Sequence, residues 1–462
     1  MQVIQVLIAL AGLGAVSVLI IKKYNPQVVL MAVGVVLMFI AVLLGNNIFP
    51  PDGAGTGINI LDPFRSIQQS FISQLGAIGL TIMALFGFST YMTYIGANNV
   101  TVNALIKPVK KIKSVYFLVP VVFIVGNMLS LVVPSASALA LLLMATLYPT
   151  LKGTGMSTLT AGGVIAMTAT IMPTPLGADN ILVAELLGID LMTYVFGMHA
   201  AISIPSLLIM AIAHFFWQRY MDKKNPETLN TKDIASESSK KEQERKPGFY
   251  GIFPVLPLII LLLLFFFQNL GFMQGVTLDV VTVTLISFFI ALITEGIRKK
   301  SFKQITEDGQ IFFNGMGEGM GSVVSLVVSA VVLAEGFRAL GVIDMVTNAV
   351  HGVPYAGNIL SLVFTGATTL IGIVSGGGLA FFYAIVGTVP DIAAGAGIEG
   401  AVITLPMQMA ANLSRTLSPV AAVVVIVAGS VKCSPMDILK RTIVPTVVGL
   451  VSVMILSFLI LS

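Results

Sequence analysis

Residues 408–419 read QMAANLSRTLSP and interrupt a long apolar region with an asparagine, an arginine and a proline. A proline inside a helix removes one hydrogen bond and clashes with the preceding turn. Arg415 keeps its charge, and at the centre of a bilayer that charge costs about 2.5–3.5 kcal/mol. Irregular backbone at membrane depth persists only where it is buried in protein or lines a wet cavity. The stretch therefore predicts a membrane span that is unwound in its middle.

The composition of the whole chain agrees with a membrane location. Of 462 residues, 56% are hydrophobic and only 10% are charged, whereas a soluble domain has about 25% charged residues. Apolar runs long enough to cross a bilayer recur from end to end. One cysteine and three scattered histidines exclude a disulfide and a metal cluster. No catalytic constellation is visible, so we expect no enzyme activity, no cofactor and no nucleic-acid partner.

Apolar runs and their breakers predict an all-α polytopic membrane protein of about ten transmembrane helices and two re-entrant hairpins. A polar, charged linker, residues 222–248, separates a first series of spans (1–221) from a second (249–462). The predicted spans are Val3–Ile21, Val28–Leu44, Ala77–Tyr94, Leu159–Leu187, Met192–Tyr220, Phe249–Phe267, Val276–Glu295, Phe312–Leu340, Ala401–Val431 and Ile443–Leu461, and the hairpins are Val115–Thr150 and Tyr355–Val389.

The two series resemble each other, which predicts an internal repeat. Four glycine or proline landmarks of the first series recur in the same order in the second, about 240 to 245 residues later. The matched landmarks are Gly96 with Gly341, Pro149 with Pro390, Pro175 with Pro419, and Pro205 with Pro445. If each apolar pair is a hairpin that leaves on the side it entered, each half crosses the membrane five times. The halves would then be inverted repeats.

The distribution of basic residues predicts the orientation. On the inverted model, 22 of the 25 lysines and arginines fall on one face, which the positive-inside rule makes cytoplasmic. The linker is then cytoplasmic and both termini face the periplasm or the exterior. The basic residues off this face are Arg65, Arg338 and Arg415, and only Arg415 is assigned to the membrane interior. The same count would hold if each hairpin crossed twice, so the hairpin interpretation depends on the chain breaks.

Four breaks interrupt the apolar helices, two in each half. We name them the first tip (residues 132–139, VVPSASAL), the first break (168–180, TATIMPTPLGADN), the second tip (373–380, IVSGGGLA) and the second break (411–420, ANLSRTLSPV). Each break alone is commonly a kink or a packing contact. Four at matched positions indicate a secondary transporter, whose discontinuous helices bind substrate near the midplane. The two broken spans are the predicted discontinuous helices.

Polar residues in these four segments are the candidate substrate ligands. Arg415 would clamp a carboxylate through its planar fork, or it would pair with Asp179 of the first break. Asp179 and Asn180 are also candidates for a coupling or ion-pair role. Glu318 and Glu335 are interpreted as interfacial or structural, and His199 and His214 receive no role. The candidate substrate-binding residues are Ser135, Ser137, Thr174, Ser375, Gly376, Gly377, Asn412, Ser414, Arg415, Thr416 and Ser418.

Several stretches resemble the anaerobic C4-dicarboxylate carriers of the DcuC type, and the likeness covers almost the whole chain. They include IAHFFWQRYMDKK, NLSRTLSPVAAVVVIVAG and KRTIVPTVVGL. The order of hairpin and broken span, twice over, is more distantly similar to the ion transporter superfamily. The resemblance implies transport of succinate, fumarate and malate across the bacterial inner membrane, by succinate efflux or dicarboxylate exchange. It also implies an elevator-like homodimer.

Two departures from the resemblance bear on coupling and on substrate. The tips lack the Asn-Thr of the sodium symporters of that superfamily, so H⁺, Na⁺ and an exchanged anion remain open as the coupling species. The second tip reads SGGGLAFF, which differs from the run expected in carriers of the DcuC type. Another organic anion, such as a tricarboxylate, is the alternative substrate. An anion channel is a weaker alternative because no polar stripe runs along any span.

Overall fold

The computed structural model of this protein describes residues 2–49, 55–109, 112, 114–133, 135–224, 246–273, 275–350, 353 and 355–461. These residues form helices and connecting turns and contain no strand. In the first half the helices are α1 (Gln2–Ile21), α2 (Pro26–Leu43), α3 (Asp62–Gln74), α4 (Leu80–Tyr94), α5 (Ala97–Ile106), α6 (Val115–Leu129), α7 (Ala136–Thr146), α8 (Tyr148–Gly153), α9 (Thr158–Ala166), α10 (Ala178–Leu187) and α11 (Ala200–Lys224). In the second half they are α12 (Leu256–Asn269), α13 (Val280–Lys299), α14 (Phe302–Gly319), α15 (Ser325–Ala339), α16 (Val342–Val350), α17 (Ala356–Ser375), α18 (Leu379–Val386), α19 (Val389–Ala396), α20 (Ala401–Ser414), α21 (Ala422–Ser430) and α22 (Pro435–Leu461).

The second half repeats the helix order of the first. Within the described ranges, α1 to α11 correspond one by one to α12 to α22. A short π-helical segment joins α3 to α4 (Leu75–Gly79), and another joins α14 to α15 (Met320–Val324). Gly96 and Gly341, with φ of 76° and 69°, stand before α5 and α16. Such positive φ angles are easy only for glycine, which explains why these two landmarks recur.

Corresponding spans of the two halves, such as α3–α4 and α14–α15, pack antiparallel. The α4 helix lies along α14, α3 lies along α15, and the two π-helical segments meet. In the α11 and α22 pair, Met210 contacts Gly449, and Gln218 donates to the carbonyl of Arg441 at 2.8 Å. A residue late in α11 therefore lies beside one early in α22. Opposite directions for matched helices are what inverted repeats require.

Ten helices in the described ranges are long and apolar enough to cross a membrane, which confirms the predicted all-helical, polytopic fold. The ten spans predicted from the sequence differ from these ten, however. The structural set includes α17 and omits the broken span α9–α10. Two predicted spans also start too late, because the structural spans run over Asn59–Tyr94 and Lys303–Ala339. The first helix of each of these spans, α3 or α14, is amphipathic. Hydropathy alone assigned the polar residues of these helices to loops.

The end of α17 lies level with the second break, although α17 has the length of a full span. Gly357 near its start contacts Ile398 and Val402 at 3.4 and 3.6 Å, measured from a Cβ built on the glycine, and Gly372 near its end contacts Ser414. Ser414 lies about midway along the span Ala401–Ser430. A helix that runs parallel to this span and stops at its middle has the geometry of a re-entrant hairpin.

The first half has the same relation between tip and break. Gly126, near the end of α6, contacts Thr168 in the first break, and Asn127 bonds to Met167 and Thr170. Each hairpin therefore brings its tip against the unwound part of its own half. Of the predicted linker, residues 225–245 lie outside the described residues, and so does Pro134 of the first tip.

Arg441, which the sequence assigns to the cytoplasmic face, is buried between helices, and its side chain is only 2% exposed. It donates to Asp222 at 2.7 Å and to the Thr160 hydroxyl at 3.1 Å. The pairing arises because α11 and α22 pack together there, and a sequence gives no sign of such a contact. Arg441 thus has a carboxylate partner from the other half of the chain.

Candidate functional site

A cavity of about 350 Å³ lies where the first tip, the first break, the second break and α18 meet. Its volume falls within the range usual for small-molecule sites, about 300–1,000 Å³. The α4 helix closes another side with the hydroxyl groups of Ser89, Thr90 and Thr93. The structure brings six predicted site residues to this cavity: Ser135, Thr174, Asp179, Asn180, Asn412 and Arg415. They come from both halves of the chain, so neither repeat forms the site alone.

Arg415 lines the cavity from the start of a 3₁₀ turn, Arg415–Leu417, that ends the helical part of the second break. Its Nε atom is buried and has no hydrogen-bond partner. Within the described chain, no carboxylate oxygen lies within 4 Å of its guanidinium. The guanidinium nitrogens that face the cavity therefore have no protein anion to bind.

Asp179 stands at the start of α10, and its carboxylate Oδ2 accepts a hydrogen bond from Asn412 at 2.8 Å. This bond joins the first break to the second. Asp179 also acts electrostatically on Arg415, His199 and Tyr383. Of the two partners considered for Arg415, a direct ion pair with Asp179 is therefore absent from this conformation of the described chain.

Asn180 is held by a buried chain of amides behind the cavity. Its Nδ2 donates to the carbonyl of Thr174 at 2.8 Å, and its Oδ1 accepts from Gln408 at 2.7 Å. Gln408 in turn accepts from the hydroxyl of Tyr194. Both polar ends of the Asn180 side chain are used within the protein, so this residue fixes the loop after Thr174. Its geometry is that of a positioning residue.

Three predicted ligands in the second break do not reach the cavity. Ser414 is buried against Gly372 and Gly378 and donates to the carbonyl of Ala411 at 3.1 Å. Thr416 faces α22, where its hydroxyl lies 2.7 Å from that of Thr446. Ser418 is fully buried. Residues three apart share one side of a helical turn, so Asn412 and Arg415 face the cavity together while these three point elsewhere.

The tips contribute less to the cavity than the sequence suggests. Ser135 caps α7 by accepting from the amide of Ala138 at 3.3 Å, and Ser137 lies two residues further along, off the cavity lining. Ser375 donates back to the carbonyl of Ile371 at 2.7 Å. The tip helix α18 reaches the cavity through Leu379 and Tyr383 instead. Gly376 and Gly377 are also absent from the lining.

A buried asparagine that the sequence reasoning missed holds the first break open. Asn127 is fully buried, and its Oδ1 accepts from both the amide and the hydroxyl of Thr170 at 2.7 Å. Its Nδ2 donates to the carbonyls of Phe123 and Met167 at 2.9 and 3.2 Å. One side chain thus replaces helical hydrogen bonds that the break lacks. A lone amide in the apolar arm VVFIVGNML was the available signal.

The backbone of the first break is strained beside this clamp. Ala169 has a φ of 59°, a conformation that costs an L-residue with a Cβ about 1–2 kcal/mol. Ala169 and Thr170 both line the cavity. Strained backbone of this kind concentrates at functional sites, where surrounding contacts enforce it.

Three further residues line the cavity without having been assigned to it. His199 and Tyr383 are almost fully buried but reach the cavity surface. Glu318, interpreted from the sequence as interfacial or structural, stands in the lining as an exposed side chain. Glu335 instead pairs with Arg338, which also binds Asp391 at 2.6 Å.

Comparison with known proteins places these features in a family. The sequence profile of the family described as "C4-dicarboxylate anaerobic carrier", DcuC, matches residues 2–462. The chain belongs to the DcuC family. The "Probable anaerobic C4-dicarboxylate transporter DcuC" of Vibrio cholerae is 36% identical over 453 residues, which cover 98% of this chain and 97% of that protein. The "Anaerobic C4-dicarboxylate transporter DcuC" of Escherichia coli K12 is 37% identical over 455 residues, 98% of this chain and 96% of that protein.

The family assignment confirms the resemblance and the expectation of a transporter, because DcuC proteins are carriers and not enzymes. Among solved structures, the YdaH transporter of Alcanivorax borkumensis superposes with a TM-score of 0.67 at 15% identity. The superposition covers 94% of this chain and 98% of that one. At this level of identity the likeness concerns the fold. This chain therefore shares its fold with a transporter.

Proposed function

We propose that this DcuC protein is a secondary active carrier of C4-dicarboxylates such as succinate, fumarate and malate. It works in the bacterial inner membrane by succinate efflux or dicarboxylate exchange, as an elevator-like homodimer. The observation that supports this proposal best is Arg415, whose unpaired guanidinium lines a cavity between four interrupted segments. The names of its relatives, which describe C4-dicarboxylate transport, agree with the size of that cavity and with the guanidinium that lines it.

The Arg415 guanidinium carries a charge that no carboxylate of the described chain pairs, and its Nε atom is buried. Within the described lining, Arg415 is the only lysine or arginine of the cavity. An anion that binds there offsets the cost of keeping the guanidinium out of water. The planar fork binds a carboxylate through two parallel charge-assisted hydrogen bonds. A carboxylate ligand therefore gains most from this residue.

A second, wider cavity lies beside the first. Thr93 lines both this cavity and a wider, more polar one of about 960 Å³. The wider cavity is lined by four basic residues, Lys107, Lys246, Arg298 and Lys299, and one acidic residue, Glu295. All four lie on the face to which the positive-inside rule assigns the cytoplasm. An excess of basic residues raises the local concentration of dianions, and we propose that dianions approach the site from this side.

Coupling follows from the charges inside the cavity. The lining combines one arginine with two carboxylates, Asp179 and Glu318, and a dianion adds two more negative charges. A cation that moves with the dianion reduces this excess of negative charge. We therefore propose a coupling cation, H⁺ or Na⁺, with Asp179 and Asn180 as its candidate partners.

The test is succinate exchange in proteoliposomes that contain the purified full-length chain. Wild-type protein should exchange internal for external labelled succinate, and Arg415→Ala should lose at least a hundredfold in exchange rate at low substrate, since charged hydrogen bonds contribute about 1.5–3 kcal/mol each. Arg338→Gln, which removes an arginine paired outside the cavity, serves as the matched control and should keep the wild-type rate. Unchanged affinity in a folded Arg415→Ala protein would overturn the clamp. Competition by citrate stronger than by fumarate would instead support a tricarboxylate carrier.

A further inference from the structure

We propose that Tyr383 and His199 form a second subsite, which holds the substrate carboxylate that Arg415 does not hold. The inference rests on the proposed function, because it concerns the far end of the same dianion. One guanidinium binds one carboxylate of a C4 dicarboxylate. The other carboxylate also loses water when it enters the site, so it needs hydrogen-bond donors of its own. No second lysine or arginine lines the described cavity, so neutral hydrogen-bond donors have to bind it.

Tyr383 presents a free donor to the cavity. Its side chain is 5% exposed, and the residue belongs to the cavity lining. Among the described residues, its hydroxyl has no hydrogen-bond partner, and it is not one of the fully buried unpartnered atoms. The hydroxyl is therefore open to the cavity. A buried tyrosine hydroxyl usually finds a partner, and an incoming carboxylate oxygen supplies one.

His199 presents a second donor from the other half of the chain. One ring nitrogen, Nδ1, lies 3.1 Å from the hydroxyl of Ser203. The other, Nε2, has no partner in the described chain and is not one of the fully buried unpartnered atoms. If Ser203 donates to Nδ1, the neutral ring carries its proton on Nε2. That N–H is then available to a ligand in the cavity that Tyr383 also lines.

Arg415, His199 and Tyr383 line the same cavity, together with Asp179. The Asp179 carboxylate is held by Asn412 at 2.8 Å. A dicarboxylate that enters this cavity can meet Arg415 with one end and the His199 and Tyr383 pair with the other. Selection against monocarboxylates follows, because a ligand without the second carboxylate leaves these buried donors unpaired.

The experiment compares succinate with butyrate, which has the same chain length and only one carboxylate. Binding of each is measured by isothermal titration calorimetry on the full-length protein in lipid nanodiscs. Tyr383→Phe keeps the ring and removes the hydroxyl, and it should weaken succinate binding about 10- to 100-fold, as expected for a hydrogen bond to a charged group. Butyrate binding should stay unchanged. Tyr91→Phe is the matched control, because the Tyr91 hydroxyl is also unpartnered but buried away from the cavity.

A second variant keeps the inference testable if Tyr383→Phe does not fold. His199→Phe keeps a flat ring and removes both nitrogens, and it should show the same selective loss for succinate. If either variant weakens succinate and butyrate by the same factor, or weakens neither, the subsite is overturned while the carrier proposal stands. If wild-type protein binds neither succinate nor fumarate, the carrier proposal fails and the subsite fails with it.

Discussion

Arg415 and Arg441 should respond in opposite ways to the same substitution. Arg415 has no carboxylate partner within the described chain, whereas Arg441 binds Asp222 at 2.7 Å. Methionine is a suitable replacement for both, because it retains an unbranched apolar stem of similar length. We expect Arg415→Met to stabilise the empty protein and Arg441→Met to destabilise it.

The magnitudes follow from burial and pairing. An arginine at the centre of a membrane helix costs about 2.5–3.5 kcal/mol, and water in the cavity together with the Asp179 charge offsets part of this. Arg415→Met should therefore raise the free energy of unfolding by about 1–3 kcal/mol. Arg441→Met leaves the Asp222 carboxylate, which is 12% exposed, without its cation, and the loss should be about 3 kcal/mol.

Ligand-induced stabilisation separates the two residues further. Succinate at one hundred times its dissociation constant should stabilise wild-type protein by about 2.7 kcal/mol. The Arg441→Met protein should keep this increment, and the Arg415→Met protein should lose it. The assay is thermal unfolding in lipid nanodiscs, followed by far-ultraviolet circular dichroism with and without succinate.

Two results would contradict the expected effects of these substitutions. If Arg415→Met lowers the unfolding temperature as much as Arg441→Met does, Arg415 has a protein partner that stabilises the fold. If Arg415→Met still gains stability from succinate, the guanidinium is not the clamp.

Four further outcomes follow from the same structure. Asn127→Leu should lower the free energy of unfolding by about 3–5 kcal/mol, because buried polar groups of the first break lose their partners, and chemical denaturation measures this. Ala169→Gly should raise it by up to about 1 kcal/mol by relieving the positive φ, whereas a valine there should lower it. Succinate transport that is driven by a proton or sodium gradient should lose this dependence in Asp179→Asn, and proteoliposome assays with each gradient imposed separately measure it. The orientation can be tested in a background without the native cysteine, with an impermeant thiol reagent applied to intact cells. Lys303→Cys should be shielded from the reagent, and Met273→Cys should react with it. The reverse result would overturn the predicted orientation.

The sequence by itself determined the features that depend on local composition. Long apolar runs have only helices available in lipid, because every backbone group has to be satisfied within the segment. Prolines such as Pro175 and Pro419 interrupt these helices, and this effect does not depend on how the helices later pack. The repeat could be detected for the same reason, since Gly96 and Gly341 are required by a positive φ at equivalent turns. Arg415 was recognisable as a site residue because nothing nearby in the sequence neutralises its charge.

Only the tertiary structure decided which polar residues face the cavity. Arg415 and Thr416 are neighbours in the chain, yet one lines the site and the other bonds to α22, because side-chain direction depends on the turn and on the helices around it. Asn127 reaches a break 43 residues away, and Arg441 reaches a carboxylate 219 residues away. Such pairings between distant residues exist only after the helices have packed. Sequence pattern thus located the breaks, and packing selected the groups that line the cavity.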